Sequence, residues 1–350
     1  MDISKKELKV GGAVFAIFFS VVAMALYVHI DHAKHILEGG NGTQEAVAES
    51  TQVSQKNSFV QEDVKQDDVP AENQKMDSQE KPQMEFDFAV IGDSENEKQD
   101  FGFDTDVIEV LDRVKILQPD MIFFTGDIIM ASADPAGVRT SVQFVKKTLD
   151  KYFGKIPYYI AFGNHDLECG VECVEVWQDV LFGKKYKKEE DRIPYYSFDH
   201  QNTHFVILST HYPKERSLDE KQLQWLMSDL DKNKKENTIV LMHVPPITFF
   251  EEDAQDCHDF GCQPDLQKRL VDIFKKNHVD LVISGHDNAF NHKIIDGIDF
   301  ILSGNATYSK PQYDGLVRRK EFTHVVIKDT SIVLQDVDVS GKILSEIKIK

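Results

Sequence analysis

The sequence predicts an α/β domain in which two β-sheets form a β-sandwich flanked by helices. Three observations predict it. From Glu85 onward, short apolar runs of strand length alternate with stretches of helical periodicity. Several of those runs, Met121–Phe124 among them, carry no polar alternation, the pattern of buried strands. Towards the C terminus strand-like segments follow one another directly. Alternating units first and antiparallel strands afterwards fit one domain of two sheets with helices outside.

Each element has its reason. Phe86–Ile91 reads as the first strand. Asp106–Leu117 has Val107, Ile108, Leu111 and Val114 at helical spacing, and Met121–Phe124 is the second strand. A helix begins near Pro135 and runs to about Tyr152, followed by a strand over Tyr158–Phe162. Tyr195–Phe198 and His204–Leu208 read as an antiparallel pair around the turn His200-Gln201-Asn202. Ser217 is a candidate cap for a helix carrying Leu223, Leu226 and Leu230. Ile239–Met242 and Leu281–Ser284 are further buried strands, with a helix over Leu266–Lys276 between them. The tail gives strands at Phe300–Leu302, Thr323–Ile327, Ile332–Val339 and Ile343–Ile349.

The chain has 350 residues, a formal net charge of -19 and 41% hydrophobic residues. So negative a chain disfavours nucleic acid as a general partner. Val10–Ile30 contains no Asp, Glu, Lys or Arg and is long enough to span a bilayer as a helix. Lys5, Lys6 and Lys9 precede it, which leaves the N terminus in the cytoplasm. A cleaved signal peptide is the competing reading, through Ala23-Met24-Ala25, but the apolar run continues past that point. Both readings export the folded domain. Residues 31–84, above all from Gly39, are polar, mostly acidic and almost without aromatics, the composition of a disordered tether. The expected organisation is a cytoplasmic 1–9, an anchor over 10–30, a linker over 31–84 and a folded domain over 85–350. In an exported chain the four cysteines, Cys169, Cys173, Cys257 and Cys262, suggest two disulfides, paired locally or tying two loops together. A zinc site or free thiols are the alternatives.

Five turns share one construction: an apolar run that ends on an oxygen or nitrogen ligand. They are Gly92-Asp93, Gly126-Asp127, Gly163-Asn164-His165-Asp166, His243 after Ile239–Met242, and Gly285-His286. A single Gly-Asp after a strand is usually a turn or helix cap, and a single His usually a hydrogen-bonded core residue. Five in order point to a metal centre at the carboxyl ends of the strands, with Asp127 in the middle. The ordered set GD, GD, GNHD, MHVPP (Met242–Pro246) and GHDN (Gly285–Asn288) resembles the calcineurin-like metallophosphoesterases. Tyr195–Asp199 and Gln222–Leu226 resemble their purple-acid-phosphatase branch, and the likeness covers about Glu85 to Asp336.

That resemblance implies a metallophosphoesterase-type sandwich, a phosphate-ester substrate and two metal ions, Mn, Fe, Zn or Mg. It implies that Asp127 bridges the pair, that Asn164, His243 and His286 complete one ion, and that Asp93 holds the other. It places His165 against the phosphate as catalytic residue. Two cations about 3.5–4 Å apart suit a phosphoryl transition state, whose negative charge they clamp while activating a water.

The sequence departs from the family pattern on the Asp93 side. Asp-x-His is here Asp93-Ser94-Glu95, Gly-His-x-His is Gly285-His286-Asp287-Asn288, and Met130 stands where a ligand tyrosine, or an Asp partner of the catalytic His, is found. Asn288 and Glu95 become the candidate ligands there, a harder set that favours Mn or Mg over Zn. His292 is a further candidate to reach in. The acidic run Glu251, Glu252, Asp253 and Asp256 with His258, and the lysines 184, 185, 187 and 188, read as solvated surface, or as a substrate rim and an anion-recruiting patch. Asn41-Gly-Thr43 and Asn305-Ala-Thr307 match the glycosylation sequon. The sequence thus describes an exported, membrane-anchored phosphoesterase. A weakened relative retaining one metal and serving as a scaffold is the alternative.

Overall fold

The structure, a computed structural model, describes residues 84–96, 102–183, 193–214, 216–250, 257, 259–307 and 319–350. The anchor, nearly all of the linker, the 184–188 lysines, the 251–256 run and His258 lie outside those residues. No helix among the described residues is long and apolar enough to cross a membrane.

The first strands and helices alternate: β1 (Glu85–Ile91), α1 (Thr105–Leu117), β2 (Met121–Phe124), α2 (Pro135–Phe153), β3 (Tyr158–Ile160) and α3 (Val171–Phe182). Next come β4 (Tyr196–His200), β5 (Thr203–Ile207), the two-residue β6 (His211–Tyr212) and β7 (Ser217–Leu218), α4 (Glu220–Lys232), β8 (Asn237–Leu241), α5 (Pro264–Lys276) and β9 (Leu281–Ser284). The chain closes with β10 (Phe290–Ile295), β11 (Ile298–Ser303), β12 (Glu321–Lys328), β13 (Ser331–Asp338) and β14 (Ile343–Lys348).

Two six-stranded mixed sheets result. The first has the order β14-β13-β12-β1-β2-β3 and the second β10-β11-β9-β8-β5-β4. In the first, β1, β2 and β3 run parallel. In the second, β5, β8, β9 and β11 run parallel. Alternate side chains of each central strand serve different cores. On β1, Phe86, Phe88 and Val90 join Phe123, Phe205, Ile239 and Leu281 between the sheets. Ala89 and Ile91 face the other way, onto α1, α2 and α3. The outer face of the second sheet packs Val206, Val240 and Val282 against α4 and α5. Both faces are covered, which is why these strands read as unbroken apolar runs. Phe88, Phe123 and Phe205 hold the sheets together with ring centroids 5.0–5.5 Å apart, each buried ring contributing about 1.5–3 kcal/mol.

Helix starts follow sequence chemistry. Asp104 and Asp134 cap α1 and α2 by accepting first-turn N–H groups, and Pro135 and Pro264 occupy first-turn positions of α2 and α5. For α4 the cap is Asp219, whose carboxylate accepts the Gln222 N–H at 2.8 Å. Ser217, the residue expected there, lies in β7, and its hydroxyl donates to the Lys214 carbonyl. The helix α3, with Trp177 fully buried, and the strand β10 are not apparent in the sequence reading. Both disulfides are local: Cys169–Cys173 at the start of α3, and Cys257–Cys262. Asn305 is 4% exposed, and its side-chain oxygen accepts from the Thr307 backbone and hydroxyl, so this sequon sits folded inward.

Candidate metal centre

Parallel strands bring their carboxyl ends to one edge of the sandwich, and four of the five turns leave strands there directly. Asp93 follows β1, Asp127 follows β2, and Asn164 and His165 follow β3, all in the first sheet. His243 follows β8 and His286 follows β9, both in the second.

The geometry centres on His243 Nε2. It lies 3.0 Å from Asn164 Oδ1, 3.2 Å from Asp127 Oδ2 and 3.1 Å from His286 Nδ1. Ligand atoms of Asp127, His243 and His286 all fall within 4.8 Å of one another. The other ring nitrogen, Nδ1, donates to the Thr125 carbonyl at 2.7 Å. A backbone acceptor on Nδ1 fixes the ring and turns Nε2 inward, the usual arrangement of a ligating histidine. The second oxygen of Asp127, Oδ1, accepts the His165 N–H at 3.0 Å. Asp93 receives the His286 N–H on both oxygens, at 3.1 and 2.9 Å, and the Ser94 N–H bonds the Asp127 carbonyl at 2.8 Å. All five turns are therefore tied to one another.

The backbone is arranged to do this at a cost. Asp93, Asp127, His286 and Asn288 have φ of 30°, 49°, 78° and 52°. Non-glycine residues there are strained by roughly 1–3 kcal/mol each and cluster at functional sites. The neighbouring glycines give clearance. A methyl group on Gly163 would collide with Asp127 Oδ1, and one on Gly126, itself at φ 100°, would come within 2.7 Å of His243 Nδ1.

The electrostatics are those of a site with surplus buried negative charge. Burial pushes the Asp93 carboxyl up to about 7, with Asp127 adding to the push. Burial, then Asp127 and Asp93, raise Glu95 well above the carboxylate range. Burial alone would lower His243, but the Asp127 carboxylate raises it to about 10. Burial works against the Asp127 charge as well, yet His243, His165 and His286 together hold that carboxyl below its usual range. A proton on His243 Nε2 thus faces the acceptor atoms Asp127 Oδ2, Asn164 Oδ1 and His286 Nδ1, and a cation would displace it.

Two further oxygens mark a neighbouring position. Glu95 Oε2 and Asn288 Oδ1 are buried with no hydrogen-bond partner, although their residues are 7% exposed and half-buried respectively. A buried oxygen without a donor is costly unless a ligand supplies the missing positive charge. Among the described residues the ligand atoms that cluster are those of Asp127, His243 and His286, which fit one cation; Asp93, Glu95 and Asn288 offer the oxygens that a second would need.

The calcineurin-like phosphoesterase family model matches residues 86–290. The chain belongs to the calcineurin-like phosphoesterase family. Human acid phosphatase type 7 is 24% identical over 275 residues, covering 65% of this chain and 60% of that protein. Rat tartrate-resistant acid phosphatase type 5 is 22% identical over 275 residues, covering 67% of this chain and 80% of that one. The chain thus aligns with less than two thirds of the human relative's length. Among solved structures, a yellow lupin purple acid phosphatase has a TM-score of 0.56 at 16% identity, covering 76% of this chain and 54% of that one. A dimetal phosphatase from Danio rerio has a TM-score of 0.53, also at 16% identity, covering 76% of this chain and 98% of that one.

Within this calcineurin-like fold, Asp127, Asn164, His243 and His286 come together, Asp93 is held beside them by the His286 N–H, Glu95 and Asn288 each bury an unpartnered oxygen, and His165 is half-buried with Nδ1 unpartnered. His292 does not reach in; its Nε2 pairs with Asp299 Oδ1 at 2.7 Å across the β10–β11 hairpin. Asp166 faces away from the centre but braces it. Its carboxylate accepts the N–H groups of Ile128, Ile129 and Gly163, joining the two loops that carry Asp127 and Asn164. Two residues escaped the sequence reading. Trp177 donates its indole N–H to the Asp166 carbonyl at 3.0 Å from a helix that was not foreseen. His211 lies buried next to Thr210, whose hydroxyl accepts the N–H of Val244 beside His243. Burial and the His243 charge hold the His211 imidazole down to about 3. The available signal was Ser209-Thr210-His211, polar residues after an apolar run, in a turn that like that of His243 has no glycine.

Proposed function

We propose that this chain hydrolyses phosphate esters in a metal-dependent reaction, on an exported domain tethered by an anchor at Val10–Ile30. The convergence of Asp127 Oδ2, Asn164 Oδ1 and His286 Nδ1 on His243 Nε2 carries the reading. Asn164, His243, His286 and Asp127 would hold one cation; Asp93, Asp127, Asn288 and Glu95 would hold the other. Two cations held there would supply charge stabilisation for a phosphoryl group and a Lewis acid for a water.

The chain's own residues do the rest. The His165 N–H, donated to Asp127 Oδ1, keeps that carboxylate from rotating. That same bond holds the His165 backbone beside Asp127, and its ring, with Nδ1 unpartnered, would serve the leaving-group oxygen as proton donor or hydrogen-bond partner. The Thr125 carbonyl keeps a lone pair of His243 pointed inward. The all-oxygen Asp93 side favours Mn or Mg over Zn.

The test uses the full chain with an aryl phosphate in added Mn, together with elemental analysis. Two bound metals with turnover, and loss of both in Asp127→Ala, are the expected outcome. Full activity in Asp127→Ala would refute the assignment. One bound metal without turnover would instead establish the scaffold reading, which the changes at Glu95, Asn288 and Met130 motivate.

A further inference from the structure

A recess of about 430 Å³ opens between β3 and the start of β4, the outermost strands of the two sheets on the same side, with α3 as its third wall. Its surface is aromatic, with Tyr158, Tyr159, Tyr195 and Phe198 in the lining and no charged side chain among the described residues that form it. The volume lies in the range of small-molecule sites and far exceeds what one water needs.

The walls are held in place. Tyr159 and Phe198 stack at 4.2 Å, and Phe198 stacks on the fully buried Phe205 at 5.2 Å. These rings are committed to each other and to the core, so they do not turn to fill the space. Tyr196 closes off another option. Its hydroxyl accepts the Ile160 N–H at 3.1 Å and donates to the Ile160 carbonyl at 3.3 Å. The edge of β3 is already answered there, which argues against an added peptide strand.

One polar atom is left over. Gln178, on α3, is 8% exposed and lines the recess. Its amide nitrogen donates to the Ile193 carbonyl at 3.1 Å, which pins the group, while Oε1 is buried with no partner. An orphaned buried acceptor costs about 1–3 kcal/mol, which a donor supplied by a ligand would recover. The sequence from Lys184 to Arg192, between two residues of the lining, is charged at eight of its nine positions and offers a single ring, Tyr186. Its chemistry does not match the recess.

The geometry points to a second, non-catalytic binding site: a recess that takes a neutral planar aromatic molecule through ring contacts and one N–H or O–H donated to Gln178 Oε1. Phe162, on its wall, immediately precedes Gly163 and Asn164, and its ring lies 5.3 Å from that of Trp177, so an occupant touches the support of the Asn164 loop. Substrate phosphate plays no part in the recognition, and the site stands whether or not the metal centre turns over.

The isomers 3-methylindole and 1-methylindole test it, because they match in size and only the first donates an N–H. Binding to the full chain is measured by ligand-observed NMR. Loss of the NMR response in Gln178→Phe, whose new ring occupies the recess, locates the site. We expect 3-methylindole to bind about tenfold more tightly. Gln178→Leu should abolish the difference, and Gln178→Phe should fill the recess and exclude both. Equal affinities for the wild type would overturn the proposal, as would a preference that survives in Gln178→Leu or no binding at millimolar probe. The wild-type comparison alone decides if the variants do not fold.

Discussion

Replacing Asp166 tests how far the candidate centre depends on a residue that does not face it. The carboxylate is completely buried and accepts the N–H groups of Gly163 at 2.9 Å, Ile128 at 3.0 Å and Ile129 at 3.3 Å. In Asp166→Asn one oxygen keeps the Ile128 and Ile129 bonds. The new amide then sets its own N–H against that of Gly163, and neither has a partner. The Gly163 donor alone, left without its charge-assisted acceptor, costs about 1–3 kcal/mol, and the unmatched amide N–H adds to that. With a urea slope of about 3 kcal/mol/M, the unfolding midpoint should fall by about 0.3–1 M from the Gly163 donor alone. Asp166→Ala orphans all three N–H groups and should cost more, roughly 4–6 kcal/mol of a total near 5–15. Burial and the Asp127 charge push the carboxyl up to about 7, so the titration belongs at pH 8, where it is ionised. Urea curves followed by far-UV circular dichroism, with chelator and then with Mn, give both the cost and its effect on metal uptake. An Asn variant that unfolds within about 0.2 M of wild type and binds Mn normally would refute the bracing role.

Three other substitutions probe separate parts of the molecule. His204 lies between Asp199 at 2.6 Å and Asp229 at 2.9 Å. Burial opposes its charge, but the two carboxylates win and raise its pKa. The pairing therefore stabilises fully below the usual histidine value and fades as pH rises through the raised one, so the deficit of His204→Gln should shrink as the pH is taken upward from the usual histidine value; a constant deficit contradicts this. On β13, burial and then the Glu321 charge push Asp336 up to about 8. The folded state keeps a proton that the unfolded chain releases, so stability falls as pH climbs from about 4 to about 8. Asp336→Asn should unfold at a higher temperature than wild type at pH 8 and at a similar one at pH 4, and a wild-type lead at pH 8 counts against it. Finally, Glu95→Ala should lower Mn stoichiometry from two towards one while leaving the His243 side loaded; elemental analysis showing two tightly held ions would remove Glu95 from the ligand set.

The sequence conveyed what depends on local pattern. Met121–Phe124 and Leu281–Ser284 match the observed strands, because a run buried on both faces leaves no polar gap to blur its ends. The turns carrying Asp93, Asp127, Asn164, His243 and His286 were readable because each couples a strand end to a ligand type, in four cases across a glycine. What stayed hidden depends on partners far along the chain. The helix α3 is bounded by Gly170 and Gly183 and starts without a side-chain cap, so little in its own sequence announces it. Glycine was read as a place to turn, whereas at Gly163 the reason is clearance for the Asp127 carboxylate, visible only once two loops meet. His211 follows an apolar run as His243 does, but its turn matches none of the five motifs. The pairing of the cysteines required coordinates, since both arrangements agree with the spacing.

The division of the candidate ligands between two sheets has a consequence for assembly. A chain in which only β1, β2 and β3 have formed carries Asp93, Asp127 and Asn164 but neither histidine. One in which only β8 and β9 have formed has the reverse. Neither half offers the full set alone, so metal uptake would report completed docking of the halves, and free metal would draw partly closed molecules towards the closed one by mass action. The cations would then act as a rivet through the seam, and removing them should ease the halves apart before either sheet melts.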